Sequence, residues 1–349
     1  MRYLIALALF GITSACTQEA APAVPPGHEM VPLSVFDLNQ VAGRSLDPQK
    51  LTVVDDSTWF AADLAKSEVW KFSLHRTGIV AGRVWHAGDS DTERPIAFGA
   101  SRSEIGILTK GAALLVLDAV SGKLKHRLVI SANRARLLGL YAAEDGAWLL
   151  VEQRMMRSDS FMRDSLFLRR IESTGLSVPL WSAEKSRLSN VADVIADVAT
   201  ATARDGAIFV GLASPPRVIR LRVDSSHVND VLLPLSNAPQ RQLSAADLSR
   251  AHDMLAHSGE MKDTQLPTLL PAVTRAWPVL GGYLVLAASS FDDFAVDLYC
   301  GTSFRRTVLT GVADAVVLPT MLVARSKRPD RGVDRFETYP LDRLAVSCA

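Results

Sequence analysis

The chain has 349 residues, of which 48% are hydrophobic, and its formal net charge is +1. This length allows two average domains or one large all-β domain, and the hydrophobic content excludes a chain that is disordered throughout. Because 38 basic residues balance 37 acidic ones, the charge favours neither nucleic acid nor an acidic membrane surface as a partner.

The N-terminus has the layout of a secretory signal peptide. Arg2 precedes a run without charged residues over positions 3–12, and small residues follow at positions 13–15. An apolar run of about ten residues is too short to span a bilayer as a helix, which needs ~20. We therefore predict a signal peptide over residues 1–15.

The placement of Cys16 directly after Ser14 and Ala15 resembles the lipobox of bacterial lipoproteins. The resemblance implies cleavage before Cys16, lipidation of its sulfur and a further acyl chain on its amine, and more than one chain anchors a protein firmly. Because Thr17 rather than Asp follows the cysteine, the expected location is the outer membrane, facing the periplasm. An ordinary signal peptide with an incidental cysteine is the alternative.

Residues 17–32 contain Pro, Ala and Gly without hydrophobic periodicity. Such a composition is typical of a flexible linker, here partly extended by Pro25 and Pro26. We predict that residues 16–32 form a tether that holds a folded domain away from the lipid surface.

Residues 51–84 form the clearest structural unit in the sequence. They contain three short apolar runs separated by turns, the first of which is Asp55-Asp56-Ser57. Short apolar runs bounded by turn residues are typical of β-strands. We expect the large side chains of these runs to pack between neighbouring units, namely Trp59, Trp70 and Phe72.

The same pattern recurs along the rest of the chain. Further units begin near residues 95, 137, 191, 270 and 314, and the unit near 137 carries the turn Glu144-Asp145-Gly146. A unit of about 40 residues that occurs about six times has the period of propeller blades. We therefore predict an all-β fold, a six-bladed β-propeller over residues 33–349. A β-sandwich or two smaller β domains are the alternative.

A propeller needs its two ends joined, because open sheet edges invite pairing with other chains. A short apolar segment around Val35 precedes the first unit and is a strand candidate. We predict that this strand completes the last blade beside residues 335–340.

A helical pattern interrupts the strands over about residues 243–258. Ser244 is a suitable N-cap, and Leu248, Ala251 and Leu255 share one helical face, before Gly259 ends the pattern. We predict one inserted helix between the fourth and fifth blades.

These features together resemble the NHL-type six-bladed β-propellers of bacterial exported proteins, in which an Asp-bearing corner precedes an apolar strand that ends in a glycine turn. The helical insertion and the prolines after it are similar to an insertion before a late blade in such lipoproteins. The resemblance covers residues 33–346 and implies a family that includes binding modules, assembly proteins and some metal-assisted hydrolases and lyases. Fold alone does not choose among these functions. The matching segments are Ala62-Asp63, Val69-Trp70-Lys71-Phe72, Thr77-Gly78, Leu266-Pro267 and Leu270-Pro271-Ala272.

Two cysteines remain in the predicted propeller, Cys300 and Cys348. An exported protein sits in an oxidising compartment, where disulfides persist. We predict that these two cysteines form a disulfide. Two separate buried thiols are the alternative.

One segment of the third unit is a candidate partner contact. It interrupts two clear strands with methionine, phenylalanine and arginine side chains, which suit an adaptable contact surface. A long hairpin whose apolar side chains fold back on a neighbouring blade is the alternative. The candidate residues are Arg154, Met155, Met156, Arg157, Phe161, Met162 and Arg163.

No motif in the sequence identifies a catalytic residue, a metal site or a cofactor. The alternating acidic run over residues 89–93 lacks the glycine of an EF-hand loop. His252 and His257 lie five residues apart, whereas a shared zinc on one helical face requires four. The sequence from Ser182 to Lys185 has the S-x-x-K spacing but lacks the other motifs of enzymes that use it.

The sequence therefore predicts a lipid-anchored binding or scaffolding module of the cell envelope. It would contact the membrane through Cys16 and bind an unidentified protein or small molecule, with no role for nucleic acid. The alternative is an exported propeller hydrolase or lyase with a metal in the central channel. That alternative requires His and carboxylate side chains that converge at one channel mouth.

Overall fold

The structure is a computed structural model that describes residues 31–349 with these exceptions: 44–45, 47–49, 64, 77, 88–93, 131–135, 158–161, 189–199, 205, 213–214, 225–226, 243, 247, 250–269, 271, 291–292, 328–333, 346–347 and 349. The predicted signal peptide, Cys16 and nearly all of the predicted tether lie outside the described residues. Within the described part, no helix has the length and apolar character that a membrane span requires.

The described chain is built almost entirely of antiparallel β-strands, with the short helices α1 (Leu38–Ala42) and α2 (Leu341–Ala345) and helical backbone at residues 245, 246, 248 and 249. The strands are β1 Ser34–Asp37, β2 Lys50–Val53, β3 Thr58–Asp63, β4 Glu68–His75, β5 Gly78–His86, β6 Pro95–Ala100, β7 Glu104–Thr109, β8 Ala113–Asp118, β9 Leu124–Val129, β10 Arg136–Ala142, β11 Trp148–Arg157, β12 Met162–Glu172, β13 Gly175–Leu188, β14 Thr200–Arg204, β15 Ala207–Leu212, β16 Arg217–Asp224, β17 His227–Pro234, β18 Arg275–Val279, β19 Gly282–Ala288, β20 Phe294–Cys300, β21 Ser303–Val317, β22 Met321–Lys327 and β23 Asp334–Pro340.

The first four blades are separate four-stranded sheets whose strands pair in chain order: β2 to β5, β6 to β9, β10 to β13, and β14 to β17. The remaining strands form one sheet in the order β1-β23-β22-β21-β20-β19-β18. Within that sheet, β21 pairs with β20 from Ser303 up to Val312 and with β22 from Val312 to Val317. Gly311 has a left-handed backbone, with φ of 66°, just before the change of partner.

The long strand β21 is therefore shared by two blades. Blade five consists of β18, β19, β20 and the first part of β21, and blade six consists of the second part of β21 with β22, β23 and β1. The predicted six-bladed, all-β propeller is thus confirmed.

Strand β1 closes the ring, as the sequence predicted. It pairs with β23 in the register Val35↔Glu337 and Asp37↔Arg335. The N-terminal strand is the outermost strand of the last blade, so the two ends of the propeller are joined by backbone hydrogen bonds.

Six clusters of buried hydrophobic side chains lie within the described structure, one between each pair of adjacent blades. Strands such as β3 and β15 are buried along their whole length because a blade covers each of their faces. They therefore read as continuous apolar runs rather than as alternating patterns. The outer strands β9 and β17 are mostly exposed and carry mixed polar residues.

The seam between blades six and one is an aromatic cluster. Trp59 and Phe72 of blade one stack with ring centroids 5.6 Å apart, and the Phe336 ring of blade six meets both edge-on at 5.6 and 5.1 Å. All three side chains are fully buried, and Trp70 belongs to the same cluster. The expectation that Trp59, Trp70 and Phe72 pack between blades is confirmed.

The inner strands approach one another closely where glycine replaces a larger residue. A Cβ atom at Gly99 on β6 would lie 2.0 Å from the carbonyl oxygen of Leu140 on β10. The absence of a side chain at this position lets the innermost strands of blades two and three pack side by side around the channel.

Hydrogen bonds join the two ends of the insertion between blades four and five to each other and to blade five. The Leu270 N–H donates to the Arg241 carbonyl at 2.9 Å, so the two ends of the insertion meet. The Arg241 guanidinium donates two hydrogen bonds, of 2.8 and 2.7 Å, to the fully buried carboxylate of Asp297 on β20. At the start of the predicted helix, the Leu248 N–H donates to the Ser244 carbonyl at 2.9 Å. Residues 250–258 lie outside the described residues.

The predicted disulfide between Cys300 and Cys348 is present, with the two Cα atoms 5.1 Å apart. Cys300 ends strand β20 of blade five, and Cys348 lies in the segment after α2, which follows blade six. The bond therefore ties the C-terminal segment to blade five.

Candidate functional site

The turns that leave the innermost strands meet at one end of the central channel. The innermost strands lie side by side around the axis, with β2 next to β6, β6 next to β10, β10 next to β14 and β14 next to β18, and β21 lies next to β2. Each innermost strand runs in the same direction, so the turn to its neighbouring strand lies at the same end in every blade. We call this end the turn face.

The turn face contains a cavity of about 340 Å³. Blades one, two, three, four and six all contribute to its lining. Ligand pockets in proteins typically measure ~300–1,000 Å³, so this cavity is large enough for a small molecule.

Part of the cavity wall is apolar. Leu149 and Ile208 are buried side chains of blades three and four, and Val223 of blade four is half-buried beside them. Val317 of blade six contributes another buried apolar side chain to the lining. Such walls favour an apolar ligand body, because binding removes apolar surface from water.

Tyr141 of blade three is the buried polar side chain of the cavity, with 8% of its surface exposed. A Cβ atom at Gly139 would lie 2.0 Å from the Tyr141 hydroxyl oxygen, so the phenol occupies space that only glycine leaves free. Burial raises the pKa of Tyr141, and the positive charge of Arg275 opposes this rise only in part. The phenol is therefore neutral, and it forms no hydrogen bond to another described residue.

Four charged side chains of the described residues lie at the rim of the cavity: Asp55, Asp56, Arg102 and Glu144. Asp56, Arg102 and Glu144 are exposed, and none of the three forms an ion pair with another residue that the structure describes. The described residues of the rim therefore supply three carboxylates and one guanidinium, and their net charge is negative.

Asp55 is held in a fixed position by its own turn. Its Oδ1 atom accepts hydrogen bonds from the backbone N–H and the hydroxyl of Ser57, at 3.0 and 3.3 Å. Partial burial raises the pKa of Asp55, but the hydrogen bonds from Ser57 and Thr58 outweigh burial, and the net pKa is lowered. Asp55 is therefore ionised at neutral pH.

The turn that carries Glu144 is fixed in a similar way. Asp145 accepts a hydrogen bond from the Ala147 N–H at 3.0 Å and pairs with Arg170 at 2.8 Å. The Glu144 carboxylate crosses the turn of blade four, where a Cβ at Gly206 would lie 2.9 Å from its Oε1 atom. Glu144 therefore brings a negative charge to the boundary between blades three and four.

A buried ion pair joins the innermost strands of blades five and six. The Arg275 Nη1 atom donates to Asp314 Oδ1 at 2.5 Å. Burial raises the pKa of Asp314, while Arg275 and Arg325 lower it in part. The second carboxylate oxygen of Asp314 is buried and has no hydrogen-bond partner among the residues that the structure describes. The Asp314 carboxylate partly neutralises the charge of Arg275, which acts on Tyr141.

The predicted partner contact lies on the hairpin between β11 and β12. Arg157 pairs with Met162 and Met156 pairs with Arg163 across this hairpin, and Phe161 lies outside the described residues. The Arg154 guanidinium is 3.0 Å from the buried Glu152 carboxylate, and its Cζ atom lies 5.6 Å from the centre of the Phe167 ring. Arg154 therefore contacts its own blade. The partner contact, and the alternative in which the apolar side chains fold back on a neighbouring blade, both stay predictions.

The described residues contain no group of three or more His, Cys, Asp or Glu side chains that could hold a metal ion. The acidic run over residues 89–93 and both His252 and His257 lie outside the described residues. Ser182 lies within strand β13 rather than at the start of a helix, which is the wrong setting for an S-x-x-K nucleophile.

Sequence reasoning did not single out the residues of the cavity. It predicted Asp55-Asp56 and Glu144-Asp145 as turns, but it gave them no functional role. Tyr141 and Arg102 lay in segments that carried no recognisable motif. The one available signal was the repeated turn after the first strand of each unit, which places acidic residues at equivalent positions in blades one and three.

No family model matches the chain, and no curated protein matches it either. Among solved structures, the chain is similar to the WD40 β-propeller domain of Doa1, with 8% identity, a TM-score of 0.46, and coverage of 89% of this chain and 98% of that chain. It is also similar to a catalytically inactive virginiamycin B lyase from Staphylococcus aureus with quinupristin, with 9% identity, a TM-score of 0.42, and coverage of 84% and 81%.

A third similarity is to a chain of the mitotic checkpoint complex, with 10% identity, a TM-score of 0.45, and coverage of 97% of this chain and 99% of that chain. At such TM-scores these similarities say nothing about ligands or activity. The propeller assignment therefore depends on the strand pairing and the six inter-blade cores of this chain. Together, the fold and the cavity define a six-bladed propeller with a ligand-sized pocket at one mouth of its channel.

Proposed function

We propose that the protein is a lipid-anchored binding module of the cell envelope and that the cavity of the turn face is its ligand site. The observation that supports this function is the cavity of about 340 Å³, framed by five of the six blades. Closure of the ring by β1 fixes these blades relative to one another. Binding sites on such rigid elements lose little conformational entropy when a ligand enters.

The anchor in this proposal is Cys16, which follows Ser14 and Ala15 as in a lipobox. The chain enters the propeller at β1, where the Leu33 N–H donates to the Thr338 carbonyl at 2.8 Å. This end of blade six also carries the turn after β21, whose Thr320 carbonyl accepts from the Leu341 N–H at 2.9 Å. The N-terminal segment therefore leaves the propeller at the same end of the strands as the turn face.

This arrangement has a consequence for the orientation of the anchored protein. A flexible tether of about 16 residues has a root-mean-square length of ~20–24 Å. Anchoring through Cys16 would therefore favour orientations in which the turn face lies on the membrane side of the propeller. A ligand of the cavity would then be one that is found near the membrane surface.

Fractionation of cells that express the full chain tests the anchor. We expect the wild-type protein in the membrane fraction and its release by detergent but not by high salt, because acyl chains and not charges hold it. The Cys16→Ala variant should lose the lipid label that the wild type incorporates from a labelled fatty acid. A soluble mature wild-type protein with an unmodified Cys16 would rule out the anchor.

A blocked cavity tests the binding role. Ala203 is an exposed residue at the cavity mouth, so Ala203→Trp should fill the mouth without disturbing the core. Val120→Trp is the matched control, because Val120 is 81% exposed on the turn between β8 and β9, outside the cavity. A compound that binds through the cavity should lose affinity for the first variant and keep it for the second. Equal binding to both variants would place the ligand elsewhere.

A further inference from the structure

We propose that the cavity binds a small organic cation, such as an amine with an apolar body, whose charged group lies at the rim. This assignment deepens the proposed binding function and rests on it. The juxtaposition that carries the proposal is a cavity with apolar side chains in its walls, an acidic rim and a buried Tyr141 side chain in its lining that has no hydrogen bond to another described residue.

The negative charge of the rim favours a ligand that carries a positive charge. Among the described lining residues, Asp55, Asp56 and Glu144 face the cavity, and Arg102 is the single cation. Asp56 and Glu144 have no ion-pair partner among the described residues, so the protein does not neutralise them from within. An anion at the same place would meet three carboxylates and would be repelled.

The interior of the cavity selects the remainder of the ligand. Leu149, Ile208 and Val317 give the cavity apolar walls, which favour an aliphatic or aromatic body over a fully polar ligand. Arg275 lies close enough to Tyr141 to lower its pKa, so a second positive charge is disfavoured in the depth of the cavity. The cationic group is therefore expected at the rim and the apolar body inside.

Tyr141 supplies the polar contact within the cavity. The Tyr141 side chain is buried, with 8% of its surface exposed, and its hydroxyl has no hydrogen bond to another described residue. Because Tyr141 lines the cavity, its hydroxyl is available for a hydrogen bond to a molecule bound there. A ligand with a polar atom one or two bonds inside its apolar body would form that hydrogen bond.

The test compares three compounds with the same apolar body: benzylammonium, benzyl alcohol and benzoate. Their affinities for the detergent-extracted full chain are measured by isothermal titration calorimetry at low salt. We expect benzylammonium to bind at least about tenfold more tightly than benzoate, with benzyl alcohol between the two. Raising the ionic strength should weaken the binding of benzylammonium alone, because salt screens exposed charges.

Substitutions of single rim carboxylates then test where the charged group of the ligand lies. Asp56→Asn and Glu144→Gln should each weaken benzylammonium about two- to fivefold, the range expected for exposed ion pairs, and should leave benzyl alcohol unchanged. Asp118→Asn is the matched control, because Asp118 is a carboxylate of the turn after β8, outside the cavity.

Three results would show whether the charge assignment, the rim site or the ligand site itself is wrong. If Ala203→Trp abolishes binding of all three compounds but benzoate binds as tightly as benzylammonium, the cavity is a ligand site and the charge assignment is wrong. If Glu144→Gln and Asp118→Asn weaken benzylammonium equally, the effect is one of overall charge and the rim site is also wrong. If Ala203→Trp changes the binding of none of the compounds, the cavity is not a ligand site and both proposals fail.

Discussion

The seam between the first and last blades offers the sharpest test of ring closure. Phe336→Ala removes a fully buried ring that contacts both Trp59 and Phe72 edge-on, at centroid distances of 5.6 and 5.1 Å. Phenylalanine-to-alanine substitutions in protein cores cost about 3–5 kcal/mol. Each aromatic pair adds about 0.5–1.5 kcal/mol beyond its buried area, so we expect a loss at the upper end of that range.

Urea unfolding followed by tryptophan fluorescence measures this loss, because Trp59 lies in the seam and reports its opening. The control is Phe304→Ala, since Phe304 is only half-buried at the boundary of blades four and five and has one ring contact, with Tyr299 at 5.7 Å. Phe304→Ala should lower the free energy of unfolding by less than Phe336→Ala does. The slope of that free energy against urea concentration should be the same in both variants. A loss below about 1 kcal/mol for Phe336→Ala would contradict the closed seam.

Three further predictions follow from the contacts of single residues. Cys300→Ala removes a disulfide that closes a loop of 48 residues, and the chain-entropy model predicts a loss of about 4 kcal/mol in urea unfolding; an equal stability of variant and oxidised wild type would contradict it. Arg241→Met leaves the fully buried Asp297 carboxylate without its two guanidinium bonds and should cost about 3–5 kcal/mol. A double variant that also carries Asp297→Leu should recover most of that loss, and a double variant no more stable than Arg241→Met would argue against a buried pair. Hydrogen bonds from Ser121 lower the pKa of Asp118 from 3.8 to about 2, so the carboxylate stabilises the fold above pH ~4 and loses this effect as the pH falls towards 2. The Asp118→Asn variant should lack this loss of stability between pH ~4 and 2 when both proteins are unfolded by acid. Identical pH profiles for the variant and the wild type would refute this prediction.

The repeat architecture was predictable because the strands inside each blade are buried on both faces. Strand β3, with Trp59, reads as an uninterrupted apolar run, and such runs recurred at the period of a blade. The outer strands were harder to predict, because β9 and β17 face solvent and carry charged residues. The sequence pattern therefore showed three strands where each blade has four.

The shared strand between blades five and six was not predicted. Its first part carries Arg305 and Arg306, which are exposed on the outer edge of blade five, so no apolar run indicated a strand. The turn of the chain near Gly311 depends on a left-handed backbone at one residue. Local sequence does not distinguish such a bend from an ordinary loop glycine.

The disulfide was predictable from the compartment and the number of cysteines, whereas the cavity was not. The turns with Asp55 and Glu144 are separated by almost ninety residues in the chain, and Val317 is farther still. They meet only because the ring brings the same end of every innermost strand to the channel mouth. A convergence of this kind depends on the number of blades and on their packing, which no single segment encodes.

Native mass spectrometry of the protein extracted from its membrane in mild detergent tests the proposed function most directly. We expect a mature chain that begins at an acylated Cys16 and carries a small bound molecule, which is absent from the Ala203→Trp variant and retained by Val120→Trp. An unmodified Cys16, together with the same bound mass in the wild type and in Ala203→Trp, would contradict both the anchor and the ligand site.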